Sequence, residues 1–345
     1  MPNLIKYKRF FRKFLAQSLQ VLSYRRDSDQ QFTGKLDSLA ILATEKIGDS
    51  VLLTPLLRNL RHQFPELEIH IICVKKASAD FFRNDPHITA VHFIKEFVDY
   101  TRNVLSRNFD LLFNVKDGPS TTFLLQTFLI RARFKVGHKN PYHEGLFNHL
   151  LQVDFDTNMA LKNCSLLSVL SVSVSKEECR PYLPPAAVSI AVTECIHKIE
   201  KGLVIGINIS AGGGNRYWIE EKWSTLIARF PAQQFMIFSA PDDREMKLRL
   251  EKVLENVTVT PPTGNIYEAG LLVKVLRLLV TPDTSLIHIA SCYNTPVIGL
   301  YTNAPAEQSR FGPFLIENEM IVSSTPQVSD IDVDAVASAL QRHLP

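Results

Sequence analysis

The sequence predicts an α/β chain of two Rossmann-like parallel-sheet domains facing a central cleft, preceded by a basic amphipathic helix. Three observations carry this. The 345 residues match two domains at roughly 100–200 residues each. A content of 46% hydrophobic and 21% charged residues is ample for sizeable cores and excludes a largely disordered chain. Short apolar runs alternate with amphipathic stretches, lapse near a proline-rich segment, and resume.

The leader comes first. Residues 1–26 hold seven cations (Lys6, Lys8, Arg9, Arg12, Lys13, Arg25 and Arg26) and no acid. The rest holds 31 basic and 35 acidic residues, so a net charge of +3 hides a mildly acidic body. Such a body is not built to coat nucleic acid. On a helix Leu4, Tyr7, Phe11, Phe14, Ser18 and Leu22 share a broad face, widened by Phe10, Leu15 and Leu19. A basic amphipathic helix with aromatic residues reads as a membrane-surface element. A helix packed on the body, or an unstructured tail, fits the same pattern. No run of about 18 apolar residues predicts a membrane span. Charges at 6, 8, 9, 12 and 13 interrupt the apolar core that a signal peptide needs. The five cysteines (73, 164, 179, 195 and 292) are odd in number and lack a CxxC, so they read as small buried hydrophobes in a reducing compartment.

Strand-like runs follow at 38–43, 68–74, 88–94 and 110–115, with a weaker one at 133–137. The clearest helix spans 49–63, where Leu52, Leu56, Leu60 and Phe64 make one stripe. Arg180-Pro181-Tyr182-Leu183-Pro184-Pro185 marks a domain connection. Strands are then expected at 203–209, 234–239, 257–260, 276–281 and 296–301, with helices at 221–230, 243–255, 266–274, 285–293 and 332–343. The organisation read from this is a leader at 1–35, a first domain at 36–180 and a linker at 181–200. A second domain at 201–328 and a C-terminal helix at 329–345 complete it. In such sheets ligands bind beyond the carboxyl ends of the strands.

Three segments at predicted strand ends carry chemistry. In the first, Thr44-Glu45-Lys46-Ile47-Gly48-Asp49-Ser50, a glycine permits a tight turn and Asp49 opens a helix. Asp49 is either an N-cap or a carboxylate able to take a proton from an attacking hydroxyl. No G-x-G-x-x-G follows the strand, so a dinucleotide fingerprint is absent. In the second segment, Gly212-Gly213-Gly214 lets amides point at an anion and Arg216 clamp a phosphate; a flexible loop is the other reading. In the third, Asp283-Thr284-Ser285 caps a helix, and His288 lies one turn in, on the face of Thr284. Together these make a pocket for a diphosphate, although each also has an ordinary structural use.

Residues Lys46 to Leu60 resemble the N-terminal motif of glycosyltransferase family 9, the lipopolysaccharide heptosyltransferases. Pro282-Asp283-Thr284-Ser285 through His288-Ile289-Ala290, then Thr295 to Tyr301, resembles that family's C-terminal motif. Arg216-Tyr217-Trp218, followed by Glu221-Lys222-Trp223, is similar to its basic-x-Trp-Pro signature. The resemblance implies a GT-B fold. It implies inverting, metal-independent transfer of a heptose from ADP-heptose to an inner-core sugar of lipopolysaccharide, with no resident cofactor. Asp49 falls on the general-base position, Arg216 replaces a phosphate-binding Lys, and Asp283, Thr284, Ser285 and His288 fall on the nucleotide-sugar loop. Ser285 stands where Gly is common and Ile219 where Pro follows the Trp. The Ser285 departure bears on donor identity more than on fold.

Asp242, Asp243 and Glu245 are candidates for the donor ribose, or solvated helix-start acids. Gly48, Lys75, Lys76 and Lys116 are candidates for an anionic acceptor, the lysines alternatively forming a solvated rim. Asp27-x-Asp29, Asp154-x-Asp156 and Asp330-x-Asp332 imitate metal-binding transferase motifs but read as loops or caps. The expected place of action is the cytoplasmic face of a bacterial inner membrane, reached peripherally through residues 1–26. Other readings are a relative using another nucleotide sugar, a sugar-nucleotide epimerase on the same fold, and a non-catalytic membrane-associated sugar-nucleotide binding protein. Asp49 beside Gly48 favours transfer.

Overall fold

A computed structural model describes residues 2–23, 31–199 and 202–344. The chain forms two compact units, residues 1–179 and 180–345. In the first, α1 (Pro2–Ser23) precedes β1 (Ser38–Ala43), α2 (Ile47–Gln63), β2 (Glu68–Cys73), α3 (Lys76–Phe82) and β3 (Ala90–Phe93). Then come α4 (Phe97–Tyr100), β4 (Asn108–Asn114), α5 (Thr121–Leu129), β5 (Arg131–His138), β6 (His149–Leu151), α6 (Met159–Cys164) and α7 (Leu166–Val169). The sheet runs β3-β2-β1-β4-β5-β6, all parallel. All six residues of β1 are buried, because helices cover both faces of a parallel sheet and leave no polar alternation. The chain winds outward one way from β1 and the other way from β4, which pair from Leu39↔Leu111 to Leu42↔Asn114. Strand order therefore reverses between β1 and β4.

Helix α2 buries more than the expected stripe. Val51, Leu53 and Leu57 are buried with Leu52, Leu56 and Leu60, because α6 and α7 pack on it too. Pro55, inside this helix, cannot donate to the Val51 carbonyl; Thr54 Oγ1 donates to it instead at 2.8 Å. Asn163 Nδ2 on α6 donates to Leu52 O at 2.9 Å, fixing the two helices together.

The leader's apolar sector divides in two. Ala16 and Leu19 are buried with Leu124, Leu146, Phe147 and Leu150, and Leu15 packs against this cluster. Tyr7, Phe10, Phe11, Phe14, Val21 and Leu22 face solvent, Phe10 at 72% exposure. Arg25, Arg26, Asp27 and Asp29 lie outside the described residues, as do the side chains of Leu4, Lys6, Lys8 and Arg9. Among the described residues no helix is long and apolar enough to cross a membrane.

The second unit repeats the design. It contains α8 (Ile190–Lys198), β7 (Val204–Asn208), α9 (Glu220–Ala228), β8 (Gln234–Phe238), α10 (Arg244–Val253), β9 (Val257–Thr258) and α11 (Ile266–Val275). β10 (Leu278–Pro282), α12 (Ser285–Tyr293), β11 (Val297–Tyr301), α13 (Pro305–Phe311), β12 (Asn318–Val322) and α14 (Val333–Arg342) complete it. The parallel order is β12-β11-β10-β7-β8-β9, reversing between β7 and β10. Trp218 and Trp223 meet edge to face at 4.6 Å in its core. Trp218 Nε1 donates to Ile331 O at 2.9 Å, so both motif tryptophans hold the unit together.

Of the stretch 181–200, expected as a linker, the described residues 181–199 lie in this second unit, where α8 packs on α11. Ser189 caps α8, Ser189 N donates to Glu268 Oε1 at 2.6 Å, and Asn265 Nδ2 donates to Ala187 O at 2.8 Å. Arg180 donates to Ser291 O at 3.0 Å and to Leu315 O at 2.9 Å. The C-terminal helix α14 likewise packs here, burying Val336, Ala339 and Leu340 in the same core as the tryptophans.

Candidate functional site

In each unit the informative residues follow the two strands at which strand order reverses, where α/β sheets bind ligands. In the first unit the turn after β1 is held by a hydroxyl chain. Ser50 Oγ donates to Lys46 O at 3.2 Å and lies 3.3 Å from Ser78 Oγ, which donates to Thr44 O at 3.2 Å. Lys46 occupies the N-cap of α2, and Asp49 is the third helical residue. Asp49 is therefore not the cap; its carboxylate sits half-buried in the first turn, where the helix dipole favours negative charge. Gly48 is also helical, so no left-handed turn explains it; the positive-φ glycines are Gly34, Gly145 and Gly202.

The lysines differ among themselves. Lys75 is exposed at the N-cap of α3. Lys76 is bound to Asp80 on its own helix, with contacts of 2.7 and 2.6 Å. Lys116 lies 5.9 Å from the Phe123 ring centroid, just beyond β4. Beside it, Lys162 Nζ bonds Asp117 Oδ2 at 2.9 Å, a nearly buried pair that sequence reasoning missed. Its signal was slight: one cation in the helical stretch Met159-Ala160-Leu161-Lys162-Asn163-Cys164.

In the second unit Asn208, last residue of β7, ties the two central strands together. Its Nδ2 donates to Thr281 Oγ1 at 2.8 Å and Thr284 Oγ1 at 3.0 Å. Thr284 is the N-cap of α12, its Oγ1 accepting from Leu286 N at 3.3 Å. Ser285 opens that helix half-buried. Beyond β7, Gly213 is extended and Gly214 begins a 3-10 turn ending at Arg216. A side chain at Gly212 or Gly214 would meet no atom within 4 Å, so packing does not call for glycine there. Close approach of another molecule to the backbone would.

Arg216 is held between two carboxylates, Asp283 Oδ2 and Glu307 Oε1, each at 2.9 Å. Glu307 was not marked in the sequence. Asp243, a ribose candidate, accepts from Tyr217 OH at 3.0 Å, whereas Asp242 and Glu245 are exposed. Burial and then the bond to Asp243 push the Tyr217 hydroxyl's pKa up. The buried Tyr301 hydroxyl, at the end of β11 and near Asp283, is pushed up by burial and has no partner among the described residues. His288 is buried; desolvation lowers its pKa to about 4, so it is neutral at pH 7. Asp154 Oδ1 accepts from Asp156 N at 3.0 Å in a turn and Asp332 stands at the N-cap position of α14 without a side-chain capping bond; no group of three His, Cys, Asp or Glu among the described residues is placed to hold a metal ion.

His70 and His143 share the lowered value of about 4, with burial as the largest cause. The folded pKa of each lies below the unfolded value near 6.5. Their stabilisation is complete above pH 6.5 and is lost as pH falls through 4. Near pH 5 unfolding should take up about three protons from His70, His143 and His288 combined, so stability drops steeply with acid. Urea titrations between pH 7 and 4 measure this; a flat midpoint across that window would contradict it.

The family model described as glycosyltransferase family 9 (heptosyltransferase) matches residues 98–337. A lipopolysaccharide heptosyltransferase 3 of Escherichia coli is 23% identical over 276 residues, covering 74% of this chain and 80% of the relative. The lipopolysaccharide core heptosyltransferase OpsX of Haemophilus influenzae is 22% identical over 297 residues, covering 78% and 80%. Among solved structures, the Escherichia coli heptosyltransferase WaaC with ADP-2-deoxy-2-fluoro heptose aligns with a TM-score of 0.67 at 14% identity, over 89% of this chain and all of that one. A family 9 glycosyltransferase of Veillonella parvula aligns at 0.68 and 16%, over 92% and 98%.

Proposed function

Because the chain belongs to glycosyltransferase family 9, the heptosyltransferases, we propose that it moves a heptose from ADP-heptose to an inner-core sugar of lipopolysaccharide with inversion. The observation that carries this reading is the matched placement of two chemistries. A carboxylate, Asp49, follows the central strand β1 of one unit. Arg216 and the N-terminus of α12, groups suited to meeting an anion, follow the central strands β7 and β10 of the other. The relatives named as lipopolysaccharide heptosyltransferases, and WaaC with its ADP-heptose analogue, support the donor and acceptor classes.

In the proposed step Asp49 takes the proton of the acceptor hydroxyl as that oxygen attacks the anomeric carbon. The bond to the diphosphate breaks on the opposite face, and charge grows on the leaving ADP. Arg216, the Gly212–Gly214 amides and the N-terminus of α12 at Thr284–Ser285 meet that charge. These fixed donors supply what a divalent cation supplies elsewhere, so the proposed reaction is metal-independent. Asp283 orients the guanidinium, and neutral His288 lines the same helix. Asp243 is held by Tyr217, leaving exposed Asp242 and Glu245 as the ribose-facing candidates. Gly48, Lys75 and Lys116 remain candidates for the acceptor; Lys76 is a weaker one, being engaged by Asp80.

A panel of nucleotide sugars and truncated core acceptors, read by mass spectrometry, tests the reading. One added heptose with ADP released is expected, with the product's anomeric configuration inverted relative to the donor. Transfer of a different sugar, or epimerised donor with no transfer, would overturn the assignment.

We also propose that the solvent-facing side of α1 rests on an anionic membrane, placing the enzyme peripherally at the cytoplasmic face. Tyr7, Phe10, Phe11 and Phe14 are exposed there, while Ala16 and Leu19 fasten the same helix to the first unit. Each buried aromatic contributes ~1.5–3 kcal/mol at most and each nearby cation ~1 kcal/mol. Changing Phe10, Phe11 and Phe14 to Ser should weaken sedimentation with anionic vesicles by at least about tenfold, with turnover on a soluble acceptor retained. Sedimentation equal to that of the unmodified protein would refute it.

A further inference from the structure

Two of the five cysteines stand apart from the others. Cys164 ends α6, and Cys179 ends a 3-10 turn (Glu177–Cys179) at the last position of the first unit. Fourteen residues lie between them in sequence, yet the turn that carries Cys179 packs on α6 and the two thiols interact, while Cys179 Sγ also donates to Ser175 O at 3.4 Å. Both line one cavity of about 670 Å³, open to solvent and bordered by Ser165, Ser168, Ser175 and Lys176. The other three have no such setting. Cys73 lies inside β2, its thiol pushed up to about 12 by burial. Cys195 is pushed up by burial as well, and Cys292 Sγ donates to His288 O at 3.3 Å.

We propose that Cys164 and Cys179 form a redox-active dithiol that a hydroperoxide closes to a reversible disulfide. In a reducing compartment the pair rests as two thiols. Cys179 is the attacking sulfur. The neighbouring Cys164 thiol and the Arg58 guanidinium favour its thiolate, against burial and the Glu178 and Glu177 carboxylates; forming the thiolate gives up its bond to Ser175 O. Arg58 is held there by its own bond to Glu178 O at 3.1 Å. The Cys179 thiolate attacks one peroxide oxygen, the O–O bond breaks, and the departing hydroxide takes up a proton to leave as water. The sulfenic acid formed at Cys179 is then attacked by the Cys164 sulfur. A S–S bond forms, and the hydroxyl leaves as a second water with the Cys164 proton. The sulfur pair loses two electrons and the peroxide gains them. Both cysteines line the cavity but are only 4% and 2% exposed, so a small peroxide suits them better than a bulky oxidant.

The bond would fasten the last turn of the first unit to α6, which already holds α2 through Asn163. This proposal is independent of the transfer reaction and does not fail with it.

The native full-length chain is treated with hydrogen peroxide, alkylated in denaturant and digested with trypsin without reduction. Peptides 163–176 and 177–198 (the Arg180–Pro181 bond resists trypsin) should appear joined, lighter by about 2 Da than their sum with Cys195 alkylated and fragment ions placing the bond at Cys179, and should separate with dithiothreitol. In Cys164→Ser, dimedone should label Cys179; in Cys179→Ser, no label should reach Cys164. The unmodified chain gives its answer whether or not either variant folds. Absence of the joined peptides, or oxidation of Cys195 or Cys292 before them, would overturn the proposal.

Discussion

Asp49→Ala is expected to lower kcat by about 10²–10⁴-fold, the usual contribution of a positioned base, while leaving ADP-heptose binding nearly unchanged. The separation follows from where the residue sits. Asp49 belongs to the unit that does not carry the Asn208, Arg216 and Thr284 cluster, and hydroxyl bonds from Ser50 and Ser78 to Lys46 O and Thr44 O hold the β1–α2 turn. Asp49→Asn keeps the size of the side chain and should lose turnover to a similar extent, because an amide takes no proton. It also removes a negative charge from a helix N-terminus, costing only about 0.3–1 kcal/mol of stability. Isothermal titration with the donor and initial-rate kinetics with a core acceptor give the two readings. Near-normal turnover in Asp49→Asn would refute the base assignment, and loss of donor binding would reassign Asp49 to the donor.

The parts of this molecule that were legible in the sequence are those set by local pattern. The run Ser38-Leu39-Ala40-Ile41-Leu42-Ala43 has no polar alternation, and a strand covered on both faces is what it became. The segment 285–293 shows its cap and periodicity together, and the helix has those bounds. Legibility falls where distant residues decide. β12 was not expected because, at a sheet edge, its residues alternate between exposed and half-buried and offer only Met320, Ile321 and Val322 as apolar signal. The stretch 181–200 reads as a linker by its prolines, yet Glu268 and Asn265, more than 70 residues on, bind it to the second unit. The leader shows one wide apolar sector, but only contact with α5 and the segment around Phe147 reveals which side chains are spent on packing. In the candidate site, motif spacing located Asp49, Arg216 and the Asp283–His288 loop. It could not show that Lys46 takes the cap position, or that Arg216 has two carboxylate partners 67 and 91 residues away.

Those partners shape the second large effect expected here. Arg216→Ala should reduce kcat/KM by about 10²–10³-fold, the range seen when one fixed donor to developing charge is removed. The guanidinium is only 22% exposed, and its two carboxylate contacts hold it in place before any donor arrives. A phosphate would therefore meet a pre-positioned fork rather than a long side chain that must be ordered at a cost of about 0.5–1.5 kcal/mol. The same contacts make the residue's removal worse than the loss of one hydrogen bond. Asp283 is 6% exposed, and without Arg216 it loses its guanidinium partner and faces a diphosphate of like charge. Lysine at 216 would keep the charge but cannot present two directed donors to carboxylate and phosphate together, so Arg216→Lys should recover only part of the loss. This coupling separates the model from a purely structural role for Arg216. If Asp283 matters chiefly as the residue that orients Arg216, adding Asp283→Asn to Arg216→Ala should restore part of the donor affinity by removing the repulsion. Asp283→Asn alone should weaken turnover. Strictly additive losses in the double-mutant cycle would place the two side chains in separate roles, and an unaltered kcat/KM in Arg216→Ala would remove the guanidinium from the diphosphate site.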